Sequence, residues 1–141
     1  MLQQPRVAPG TLVAAAAWQW TGVGLVMLAT AAVFLAMAAY VWWRRGGSAG
    51  AALALVLVAL LLWAGTYAAE LGATDLSAIS RWGDVKYVGL VLVPPAWFAF
   101  AALFAGRGSW VNGRNLALLA IHPVVVLLLL ANAATHDLIR W

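Results

Sequence analysis

The chain has no cysteine and very few ionisable residues. Without cysteine among its 141 residues, it cannot form disulfides, thiolate metal sites or cysteine nucleophiles. Four acids and two histidines show no recognisable metal-ligand spacing, so we expect neither a metal nor a cofactor. The motifs of serine hydrolases, zinc proteases and nucleotide-binding loops are absent as well. The sequence therefore predicts that this chain has no catalytic residues and is not an enzyme.

The scarcity of charge also indicates the class of protein. Charged residues make up 9% of the chain, hydrophobic residues 66%, and the mean hydropathy is +0.96. A soluble domain has about a quarter charged residues and about half apolar ones. We therefore expect a multi-pass protein of the plasma membrane, with the lipid bilayer as its partner. The pI near 10.4 would suit nucleic acid, but the basic residues stand singly or in pairs between apolar runs, so no nucleic-acid binding is predicted.

Four apolar runs are long enough to cross a bilayer, which takes about 20 residues each. They predict an all-α membrane protein, a four-helix transmembrane bundle forming one membrane domain over residues 1–141, with spans at 21–43, 49–69, 87–105 and 115–131. In the longer loop at 71–86, Asp75 is placed to cap a short helix. Its apolar side would lie on the membrane surface, separate from span three.

The charges of the loops predict the direction of the spans. The loops after spans one and three carry four arginines, Arg44, Arg45, Arg107 and Arg114, and no acid. The charges on the other side sum to zero. Because positively charged loops stay in the cytoplasm, we expect both the N-terminus and the C-terminus to lie outside.

Polar side chains at the outer ends of the spans are candidates for a binding site. Glu70 ends span two and Lys86 begins span three. Ionisable groups in membrane segments are costly, so two interpretations stand side by side. In the first, both groups are solvated among the lipid headgroups, with Lys86 snorkelling. In the second, they pair or line an outward-facing pocket.

Prolines inside two spans are candidates for conformational switches. Pro94 and Pro95 break span three near its centre, and two missing backbone donors predict a kink there. Pro123 predicts a kink in span four. His122 before it is expected to be a hydrogen-bonded structural residue of the bundle, with proton sensing as the alternative.

Several short motifs follow one another along the chain from the second span onward. They are Trp63–Leu71, Trp82, Lys86–Gly89, Val93–Phe100, Phe104–Arg107, Leu118–Pro123, Ala131-Asn132, His136 and Trp141. In this order and spacing they resemble the N-terminal seven-transmembrane sensor region of bacterial and archaeal histidine kinases, which also heads some diguanylate cyclases. The similarity covers about residues 20–141, the first four of seven spans. His122 departs from it, since an aliphatic residue is expected there.

The resemblance implies a sensory input module for two-component signal transduction. It would bind an unknown small molecule near Glu70, Lys86, Trp97, Asn132 and His136. Since no kinase module follows span four, we expect a fragment or truncated receptor that works with a missing C-terminal half or with a partner chain bearing a cytoplasmic kinase. The alternatives are a small four-span transporter or channel subunit and a membrane assembly protein without a ligand.

Overall fold

A computed structural model of the chain describes residues 19–44 and 46–131. These residues form four α-helices and one short 3₁₀ turn: α1 Gly22–Arg44, α2 Ser48–Gly72, α3 Leu76–Phe104, the 3₁₀ turn Gly108–Trp110 and α4 Gly113–Ala131. Each α-helix is long and apolar enough to cross a membrane. The predicted all-helical fold with four membrane-spanning helices is therefore confirmed.

Helix α2 lies at the centre of the described fold, between α1 and α3. Its buried residues are mostly small, and Ala59, Ala64 and Ala68 are almost completely covered. Small residues let helix backbones approach closely, which is how helices associate where lipid removes the hydrophobic driving force. The alanine-rich sequence of α2 thus explains why two neighbouring helices pack on this one.

Helices α1 and α2 run antiparallel along their whole length. Near the start of α1, the Gln19 amide donates to the Gly72 carbonyl at 2.8 Å. At the other end, a buried cluster joins the two helices through Ala38, Val41, Ala54 and Leu57. The short connection through Gly47, with φ of 118°, closes this hairpin.

The end of α3 is closed by backbone hydrogen bonds around Gly106. The Arg107 amide donates to the Ala102 carbonyl at 2.9 Å, and the Gly106 amide donates to the Leu103 carbonyl at 3.2 Å. This pair of bonds is a Schellman motif, which requires a left-handed residue after the helix. Gly106 supplies it with φ of 74°, so the glycine-arginine exit has a structural reason.

Arginines mark one end of the bundle, which we call the arginine end: Arg44, Arg107 and Arg114. All three are exposed, and within residues 19–44 and 46–131 no acid lies at this end. The opposite end, where α2 stops and α3 begins, holds the described acids Glu70, Asp75 and Asp84. We call it the acidic end.

The predicted surface helix, which was expected to run from the Asp75 cap through Arg81 within the loop at 71–86, is not a separate element, and this is a correction to the expected span boundaries. Residues from Leu76 onward form the first turns of α3, which continues to Phe104 over 29 residues. The predicted cap is present, since the Asp75 side chain accepts a hydrogen bond from the Ala78 amide at 3.2 Å. At 1.5 Å per residue α3 is about 44 Å long, more than the roughly 30 Å hydrocarbon core.

Candidate functional site

One face of α2 carries an aromatic pair followed by a carboxylate. Trp63, Tyr67 and Glu70 stand at intervals of four and three residues, so their side chains share one face of the helix. The Trp63 and Tyr67 rings stack at a centroid distance of 6.3 Å. This face therefore presents two aromatic rings that lead up to a negative group at the acidic end.

Lys86 of α3 meets this face of α2. Its ammonium group lies 2.6 Å from Glu70 Oε2 and 5.0 Å from the centroid of the Tyr67 ring. The Lys86 side chain is 22% exposed and the Glu70 side chain 19%. Of the two interpretations of these residues, the structure shows the pairing, because the charges contact each other and are half-buried.

One glycine of α3 makes this meeting of helices possible. A Cβ atom at Gly89 would lie 2.5 Å from the Trp63 amide nitrogen and 2.8 Å from the Ala59 carbonyl oxygen. Because both are backbone atoms, no side-chain rotation can relieve the contact. At Gly83 a Cβ would lie 3.6 Å from Glu70 Oε1, which is an ordinary contact. Gly89 therefore lets α3 lie directly against α2, one turn after Lys86.

The ion pair lies at the border between the polar and apolar parts of α3. Residues 76–86 include five polar or charged positions, whereas the rest of the helix is almost wholly apolar. A span places its apolar part in the hydrocarbon and its charged end among the headgroups. We therefore expect the Glu70–Lys86 pair to lie near the membrane edge.

Asp75, which caps α3, is separate from this pair. Hydrogen bonds from the Ser77 hydroxyl and the Ala78 amide hold the pKa of its carboxyl below 3.8, and Arg81 adds a smaller effect in the same direction. Asp75 is fully exposed. It therefore acts as a helix cap and not as part of the half-buried site.

Trp97 does not contact the ion pair. It lies eleven residues after Lys86 on the same helix, about 16 Å further along the axis. Its ring contacts Phe100 at 5.7 Å, and more than half of the side chain is exposed. The other two predicted site residues, Asn132 and His136, lie outside the described residues. The structure thus joins Glu70 and Lys86 of the predicted set.

The prolines predicted to act as switches lie inside continuous helices. Helix α3 passes through Pro94 and Pro95, and α4 passes through Pro123, its one buried residue. His122 beside it is exposed. Among residues 19–44 and 46–131, no hydrogen-bond partner is found for its side chain, so the described bundle does not supply the expected structural bond. A role in switching stays a prediction for all four residues.

Tyr67 and Gly89 also belong to the site, although neither is among the site residues predicted from the sequence. Tyr67 was detectable, because it lies one turn before Glu70 on the same helix face. Gly89 gave no such signal, since its role depends on which helix packs against α3. In the described part of the chain, no group of three metal-binding side chains occurs.

The chain was compared with curated proteins, solved structures and protein-family models. No curated protein and no solved structure matches the chain. The family model that describes the N-terminal 7TM region of histidine kinase matches residues 26–141, which include all of α2, α3 and α4 and most of α1. This match and the four membrane-spanning helices identify a multi-pass membrane protein. The chain belongs to the family of the N-terminal 7TM region of histidine kinase.

Proposed function

We propose that this chain is the sensory input module of a histidine-kinase system and receives a small-molecule signal at the acidic end. The observation that carries the proposal is the half-buried Glu70–Lys86 pair, which joins α2 to α3. A ligand that competes for either charge alters the contact between two membrane helices. A signal can thereby bias two packing states of the bundle, as a ligand does whenever it binds one state better.

In this proposal both chain termini and the acidic end face outward, and the arginine end faces the cytoplasm. The support is the arginine excess at one end of the bundle, which follows the preference of positive loops for the cytoplasm. The ligand site includes Glu70 and Lys86, with Trp97, Asn132 and His136 as further candidates. Pro94, Pro95, His122 and Pro123 are the proposed switch positions.

The orientation is tested by labelling single cysteines, because the chain has none of its own. Leu76 and Ser109 are exposed and lie at opposite ends of the bundle. We expect a membrane-impermeant maleimide to label Leu76→Cys in intact cells and Ser109→Cys only after the membrane is permeabilised. The reverse pattern would place the ion pair on the cytoplasmic side and overturn the outward-facing site.

The sensory role is tested by identifying the output module. The chain is tagged, captured from membranes in mild detergent and analysed by mass spectrometry, with an unrelated four-span protein as the control. We expect histidine-kinase peptides, from the same polypeptide or from a partner chain. Their absence would contradict the sensory role and favour a membrane assembly protein. Ion flux through proteoliposomes that contain the chain alone would instead indicate a transporter or channel subunit.

A further inference from the structure

The ammonium group of Lys86 has two attractive neighbours on α2. The Glu70 carboxylate lies 2.6 Å away, and the centroid of the Tyr67 ring lies 5.0 Å away. The Trp63 ring stacks with the Tyr67 ring. A carboxylate next to an aromatic face is a general binding arrangement for cations, because the ring carries negative potential on its face.

Part of this site is open to other groups. Both side chains of the pair are about one-fifth exposed. The hydrogen bond from Lys86 uses Glu70 Oε2. Glu70 Oε1 lies on the side of Gly83, where a Cβ atom would be 3.6 Å from it. A carboxylate has two acceptor oxygens, so Glu70 has capacity for a further donor beside the one that Lys86 supplies to Oε2.

Lys86 is also the partner that is easiest to displace. Its charge is carried by a flexible stem that can move toward the headgroups, whereas Glu70 and Tyr67 stand on the central helix α2. An anionic ligand that bound the remaining N–H donors of Lys86 would bring a second negative charge next to Glu70, and the two like charges would repel each other. A cationic ligand replaces both contacts. The geometry therefore favours a cation over an anion.

We propose that Glu70 and Tyr67 form a binding site for a small molecule with a primary ammonium or guanidinium group, and that Lys86 holds this position in the unliganded chain. The inference rests on the proposed sensory function, for which it names the chemical class of the signal. When the ligand enters, Lys86 leaves, and α3 loses its charged contact with α2 at the acidic end. No covalent step is involved.

The test is chemical rescue of Lys86→Met in the purified chain, with ethylammonium chloride as the probe and sodium chloride at equal concentration as the control. Thermal unfolding and tryptophan fluorescence, to which Trp63 contributes, are measured. We expect ethylammonium to raise the unfolding midpoint of Lys86→Met saturably and more than that of the wild type. With Tyr67→Leu added, the half-saturating concentration should rise about fivefold, and with Glu70→Gln added, the response should vanish.

Lys86→Gln keeps a neutral hydrogen-bonding group toward Glu70 and supplies a folded background if Lys86→Met does not fold. A response that is unsaturable in both variants, or equal with and without Glu70→Gln, would overturn the cation site. Stabilisation of the wild type by sodium acetate and not by ethylammonium would also overturn it. No kinase is present in this assay, so a negative result would overturn the cation site without contradicting the sensory function. The absence of kinase peptides in the capture experiment would contradict the sensory function without bearing on the cation site.

Discussion

Replacing Gly89 with alanine tests whether α2 and α3 meet backbone to backbone. The new Cβ atom would lie 2.5 Å from the Trp63 amide nitrogen and 2.8 Å from the Ala59 carbonyl oxygen. The helices must therefore separate by roughly 1 Å, a gap that forfeits up to half of the dispersion energy of the affected contacts. Overpacking of this kind costs about 1–3 kcal/mol.

The intrinsic helix preference of alanine over glycine offsets up to about 1 kcal/mol of that cost. With the full offset, we expect Gly89→Ala to lower the free energy of unfolding by up to about 2 kcal/mol. The matched control is Gly65→Ala in α2, whose Cβ would meet only Ala31 Cβ at 4.0 Å. That contact is an ordinary one, so this variant should be as stable as the wild type or slightly more stable.

Unfolding by sodium dodecyl sulfate in mixed micelles, followed by far-ultraviolet circular dichroism, measures both variants against the wild type. The expected result is a loss of stability for Gly89→Ala and none for Gly65→Ala. If the two alanine variants unfold at the same detergent fraction, α3 does not pack on α2 as described, and the position of Lys86 beside Glu70 loses its support.

Three further predictions concern the ion pair and the helix ends. Glu70→Gln and Lys86→Met should each lower the free energy of unfolding by about 1–2 kcal/mol, because each leaves a half-buried charge unpaired. The double variant should lose less stability than the sum of the two single variants. Additive losses in a double-mutant cycle, measured by the same unfolding assay, would show that the pair is not coupled. Asp75→Ala should destabilise the start of α3 above pH 3.8, because the pKa of Asp75 is lowered on folding and the stabilising effect of Asp75 is lost as the pH falls through its pKa in the folded chain. The circular dichroism melts of the variant and the wild type should therefore converge in acid. A difference that persists in acid would refute the cap. Gly106→Ala places a side chain at φ of 74° and should lower the free energy of unfolding by about 1 kcal/mol. Gly113→Ala, whose new Cβ meets no neighbouring atom, should not lower it. Equal melting temperatures for these two variants would contradict the Schellman motif.

Hydropathy predicted four membrane-spanning helices but not where α3 begins. The charged residues from Arg81 to Lys86 interrupt the apolar run and suggested a loop, yet α3 starts at Leu76. A drop in hydropathy marks the edge of the hydrocarbon, whereas a helix ends only where its backbone hydrogen bonds stop. Between Leu76 and Lys86 no proline occurs, so nothing prevents the helix from starting at its Asp75 cap.

The candidate site was predictable from the sequence only in part. Ionisable groups at span ends are rare enough to draw attention, so Glu70 and Lys86 stood out as candidates. Their pairing depends on the close packing at Gly89, which the sequence does not reveal without knowledge of the neighbouring helix. Trp97, the predicted site residue on the same helix as Lys86, lies three turns further along α3, about 16 Å away along the axis.

We propose that the Glu70–Lys86 contact controls a histidine kinase. This is tested by the phosphohistidine level of that kinase in membranes that contain variants of this chain. We predict that Glu70→Gln shifts this level severalfold relative to the wild type, and that Glu70→Gln combined with Lys86→Met, which removes both charges, shifts it too. Asp75→Asn, which makes the same charge change at the same end of the bundle and keeps a capping side chain, should leave it unchanged. A phosphohistidine level that is the same in wild type and Glu70→Gln at equal protein amounts would contradict the account.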